Sequence, residues 1–128
     1  MADTEKVSFN MSVVDLGQID YLVEQGFYSS RTDCIRTGVR NLLLTHAATV
    51  QQAISRNLIA LGVVLYDRKT LESYVASRRQ LQAQVIGVVV LEDDITPELA
   101  RSAIKSLKVF GVLRATPDVK AALQDRLK

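Results

Sequence analysis

The chain reads as α+β: a short strand and two helices at the front, then a small α/β region. Three observations predict this. Residues 6–11, "KVSFNM", alternate polar and apolar side chains, the period of a half-buried strand. Residues 12–46 carry apolar residues at helical spacing on two successive segments. From residue 59 onward, Val-rich runs alternate with helix-like segments in the order β-α-β-α-β-α.

In the first strand, Val7, Phe9 and Met11 share one face, and Lys6, Ser8 and Asn10 share the other. The next segment, "SVVDLGQIDYLVEQG" (12–26), places Leu16, Ile19, Leu22 and Val23 on one helical face, with Ser12 as cap and Gly26 as stop. "YSSRTDCIRTGVRNLLLTH" (28–46) restarts with Ser30 followed three residues later by Asp33, a variant of the capping box. Ile35, Val39, Leu42 and Leu43 then mark its apolar face, with Arg36 and Arg40 one turn apart on the flank. Residues 47–58 contain neither Pro nor Gly and read as a helical connector.

"IALGVVLYD" (59–67), "QVIGVVVLED" (84–93) and "KVFGVLR" (108–114) read as strands, the first two bounded by charges. Helices are expected over 68–83, 95–107 and 115–127. The last two open with Thr-Pro-acid, which supplies a cap, a preset first-turn φ and a charge that suits the helix dipole. This echo repeats helix-start signals rather than a duplicated fold. The expected organisation is therefore residues 1–46, a connector over 47–58, and an α/β domain over 59–128.

Composition narrows the function classes. Apolar content of 48% and charged content of 23% are those of a globular chain, and with no Trp the core must be aliphatic. The single cysteine, Cys34, permits no intramolecular disulfide, which fits a reducing, cytoplasmic setting. The polar start "MADTEK" lacks the apolar run of a signal peptide, and no apolar stretch is long enough to span a membrane. No Gly-rich phosphate loop, Ser/His/Asp set or paired carboxylates stand out, so no enzyme and no cofactor are expected. Cys34 and His46 read as packing residues and Glu92-Asp93-Asp94 as a solvated turn, leaving no metal site expected.

Net charge is +2, unevenly divided: residues 1–50 hold four basic and six acidic residues, and the remainder holds twelve and eight. A nucleic-acid surface in the first part must therefore come from local arrangement, not bulk charge.

A lone strand leaves unpaired N–H and C=O groups on both edges. The same strand from a second copy resolves this as a two-stranded antiparallel ribbon across a two-fold axis. Val7, Phe9 and Met11 then face a four-helix core, and Lys6, Ser8 and Asn10 face outward on a ribbon that fits the major groove of B-DNA.

The strand and "LGQIDYLVEQGFYSSRTDCIRTGVRNLL" together resemble the ribbon-helix-helix fold of the Arc, MetJ and CopG repressors, most closely the CopG-like branch, over about residues 5–46. The segment similar to that branch's pattern runs Gly26, Phe27, Tyr28, Ser29, Ser30, Arg31, Thr32, Asp33, Cys34, Ile35, Arg36. The resemblance implies base contacts from Lys6, Ser8 and Asn10, and phosphate contacts from Ser29, Ser30 and Arg31 at the second helix's N-terminus. It differs from many relatives in beginning the strand with Lys6 instead of Arg; Lys lacks the planar fork that reads guanine.

The expected protein is a sequence-specific DNA-binding transcriptional regulator, a repressor, acting as an intertwined homodimer or a tetramer on double-stranded DNA. Its C-terminal domain would oligomerise or sense an unknown small-molecule or protein effector. Two other readings stand beside it: the antitoxin of a toxin–antitoxin pair, and a structural interaction protein that uses the dimer only as a scaffold.

Overall fold

A computed structural model of the chain describes residues 4–127, and these divide into two compact units that meet between residues 51 and 52.

In the first unit, α1 (Val13–Glu24) is capped by Ser12, whose Oγ accepts the Asp15 N–H. It stops at Gly26, where φ is +85°, a value that suits glycine alone. Helix α2 (Arg31–Thr45) is capped by Ser30 in extended backbone, and α3 (Ala47–Ser55) follows after one residue. Both expected helices are present, and the connector is helical.

Residues 4–11 form no strand pairing among the described residues. The strand expected over 6–11 is not formed, because a ladder needs a partner and a single chain supplies none. No residue of α1, α2 or α3 is buried. Val7, Phe9, Val39, Leu42, Leu43 and Leu44 are each at least half exposed, Val7 by 76%.

The second unit is a three-stranded parallel sheet in the order β1 (Ala60–Tyr66), β2 (Leu81–Leu91), β3 (Ile104–Arg114). Helix α4 (Arg68–Ala76) lies between β1 and β2, α5 (Pro97–Ala103) between β2 and β3, and α6 (Pro117–Ala122) follows β3. Inward residues Val85, Val89, Leu91 and Leu107 form one core with Leu71, Ala100, Ala103, Val119 and Leu123 from the helices. Burying each large aliphatic side chain there contributes about 1.5–3 kcal/mol.

Several boundaries differ from expectation. Helix α4 ends at Ala76, not near 83, because Arg78 takes a positive φ of 56° and turns the chain into β2 at Leu81. Helix α5 ends at Ala103: Ile104 and Leu107, expected in that helix, lie in β3 with 0% exposure. Their burial beneath the helix layer outweighs the local helical pattern. Helix α6 ends at Ala122, after which turns bring Leu127 beside Leu107, with the Leu107 N–H donating to the Arg126 carbonyl.

The second unit is also more repetitive than the helix-start echo suggested. Gly62, Gly87 and Gly111 sit in register across the sheet, all at φ between 125° and 136°. A Cβ on Gly87 would stand 2.1 Å from the Gly62 carbonyl oxygen, and one on Gly111 2.1 Å from that of Gly87. β2 and β3 therefore each approach the preceding strand too closely for a side chain at Gly87 or Gly111. Three β–α units are laid side by side through the same joint.

Candidate nucleic-acid interface

Lys6, Ser8 and Asn10 are exposed on the extended segment before α1. Their apolar neighbours Val7 and Phe9 are exposed too, and Met11 is half-buried. The segment borders a shallow groove of about 470 Å³ that includes Ser8, Asn10, Leu16, Arg31 and Ile35. Two of the expected base-contacting residues and one expected phosphate-contacting residue thus share one surface.

At the start of α2, Ser30 Oγ accepts the Asp33 N–H at 3.0 Å. Asp33 Oδ2 in turn accepts the N–H of Ser29, also at 3.0 Å. The capping box is reciprocal, as the sequence implied, but the carboxylate reaches one residue further back than usual. The remaining first-turn amides have no partner within the helix, which makes this end a ready anion site. The Asp33 carboxylate works against that role, since it puts a negative charge where a phosphate would approach.

Arg31 is not a free charge. Its Nε and Nη2 donate to Asp20 Oδ1 and Oδ2 at 2.7 and 2.8 Å, a bidentate pair joining α2 to α1. The hydrogen bonds from Arg31 hold the Asp20 carboxyl below the ordinary carboxylate range, and Asp20 in turn raises the Arg31 guanidinium. Sequence reasoning missed Asp20. Its only signal is an acid on α1 eleven residues before the arginine, which becomes a contact only once the turn geometry is fixed.

Cys34 is half-buried in α2, and His46 forms that helix's C-terminal cap. Among the described residues no group of three or more His, Cys, Asp or Glu is arranged to hold a metal ion. No helix among them is long and apolar enough to cross a membrane.

The first unit thus brings together an extended segment of alternating residues, two capped helices and exposed apolar side chains. The chain belongs to the ribbon-helix-helix transcriptional regulator family, whose model matches residues 2–120 and so extends over most of the α/β unit as well. No curated protein and no solved structure matches the chain.

Proposed function

We propose that the protein is a sequence-specific DNA-binding regulator, a repressor, whose residues 6–11 pair with those of a second copy and enter the major groove. One observation carries this reading: an uncharged, unpaired apolar face on residues 7–11 precedes two helices with no buried residue. A fold of about fifty residues without a core is not stable alone, and a second copy supplies the missing partner for both the segment and the helices.

In the paired state Lys6, Ser8 and Asn10 of each copy face the bases, Asn10 suited to adenine and Lys6 to guanine. Ser29, Ser30 and the α2 amides lie at the flanking phosphates, with Arg31 beside them. The acidic balance of residues 1–50 favours modest affinity per dimer and several dimers bound together. The described part of the α/β unit has its own buried core, which favours a folded regulatory or assembly domain over a tail that orders only around a toxin.

The test is selection from sheared genomic DNA at low salt. Recovery of a small set of fragments sharing a repeated half-site supports the proposal. Recovery of none, or of fragments in proportion to their abundance, overturns it.

A further inference from the structure

The two outer edges of the sheet are the two halves of a joint that the chain already makes twice. Strands β1 and β2 pair in parallel with Gly62 opposite Gly87, and β2 and β3 repeat the arrangement with Gly87 opposite Gly111. At both joints the later glycine leaves room for the carbonyl of the earlier one. Gly62 has the same backbone conformation, with φ at +125°, yet nothing lies within 4 Å of the position its Cβ would take. Its slot faces the open edge of β1.

That edge has none of the devices that keep edges apart. Residues Ala60–Tyr66 contain no charge, no proline and no bulge. Three side chains on the face away from the helices, Leu61, Val63 and Leu65, are 60%, 65% and 58% exposed. Val88 stands in the same row as Val63 but between two strands, and is only 9% exposed against 65%. Val63 lacks the strand on its outer side that Val88 has.

The edge of β3 offers that strand. Phe110, in register with Leu61 through Ile86, is 46% exposed. Among the described residues, the hydrogen bonds from the tail to β3 fall at Ile104 and Leu107, outside the stretch from Val109 onward that corresponds to Ala60 onward. The geometry points to a head-to-tail contact in which β3 of one copy pairs in parallel with β1 of the next, Gly111 opposite Gly62, extending the sheet from chain to chain. Such a heterologous contact does not close on itself as a two-fold one does, so it can link more than two copies. It stands whether or not residues 6–11 form a ribbon; only its consequence, dimers joined side by side along DNA, rests on the reading above.

Engineered cysteines test it in the full chain carrying Cys34→Ala. Leu61→Cys and Phe110→Cys together should give covalent dimers and a longer ladder on mild oxidation. The two cysteines of one chain are separated by β2 and cannot bridge to each other. Mixing the two single variants should give covalent dimers and nothing longer. Adding Val63→Lys, at an exposed position that leaves the fold intact by circular dichroism, should abolish the linkage. Linkage by Leu61→Cys alone would mean that two β1 edges pair with each other and would overturn the inference. So would the absence of any linked species from the folded double variant at tens of micromolar protein.

Discussion

Arg31 and Asp20 form a two-pronged ion pair between the first turn of α2 and the body of α1, with Nε–Oδ1 and Nη2–Oδ2 distances of 2.7 and 2.8 Å. Both side chains are about half exposed, so the pair adds little to stability by itself. Its larger effect is on binding, because it places a carboxylate beside the arginine proposed to meet a phosphate. Asp20→Asn should strengthen binding to specific and random DNA alike and steepen the salt dependence by about one phosphate contact. Arg31→Ala should weaken both equally and flatten the salt dependence by a similar amount. Titrations at several salt concentrations check this. Weaker binding by Asp20→Asn would show instead that the pair holds Arg31 in its productive position.

Asn10 should behave differently. An amide that pairs with a base edge is worth about 1–3 kcal/mol of discrimination, and it contributes little where the base is wrong. Asn10→Ala should therefore lose that much on the selected site and almost nothing on random DNA. Equal effects from Asn10→Ala and Arg31→Ala would refute the separate roles assigned to the segment and the helix end.

The parts of this architecture that were legible in the sequence are those set by near neighbours. Ser12, Ser30, Thr96 and Thr116 each accept an N–H three residues on, and each was readable from residue type and spacing alone. The start of β3 was not, because Ile104 and Leu107 fit a helical period and only the helix layer above them makes them strand residues. The pairing of Arg31 with Asp20 was hidden for the same reason. The glycine row was a missed signal of another kind. Gly62, Gly87 and Gly111 recur at intervals of about 25 residues, each followed by Val. Repeats of this length mark side-by-side β–α units, and the more conspicuous Thr-Pro-acid helix starts mask the period.

That row predicts a severe substitution. Ala at Gly87 would need both a positive φ of 133° and space occupied by the Gly62 carbonyl oxygen 2.1 Å away. Neither can relax without parting β1 from β2. Gly87→Ala should cost about 3 kcal/mol or more, well above the typical surface change. Gly62→Ala meets no atom of its own chain, so in the separate chain it should suffer only the backbone term, about 1–3 kcal/mol. Urea denaturation of the two variants, compared at equal protein concentration, checks the difference.

Acid should weaken the fold in a defined window. Asp20 is held below its ordinary value of 3.8 by hydrogen bonds from Arg31, Asp125 by one from Arg101, and Asp67 by its contacts with Thr70 at the α4 cap. A carboxyl with a lower pKa in the folded state binds fewer protons there than in the unfolded chain, so its stabilising effect is complete above the ordinary value. That effect is lost as the pH falls through the lowered value. Thermal melts between about pH 5 and pH 2 should show falling stability. Asp125→Asn should be less stable at neutral pH and lose less on acidification than the parent chain.

The two units should respond differently when separated. The chain from residue 52 onward contains a core including Leu71, Val89, Ile104 and Leu107, each essentially inaccessible to solvent. It should melt cooperatively as an isolated fragment, whereas a tail that orders only around a toxin would show no transition. The fragment ending at residue 51 has no buried residue in α1 or α2, and in the proposed ribbon a second copy supplies its interior. Its folding is then a bimolecular reaction, and its melting temperature must rise with protein concentration. A hundredfold dilution subtracts about 2.7 kcal/mol from the driving force for association, enough to move the transition by several degrees. A concentration-independent, cooperative melt of this fragment would show that it folds as a monomer, and the proposed ribbon would lose its physical basis.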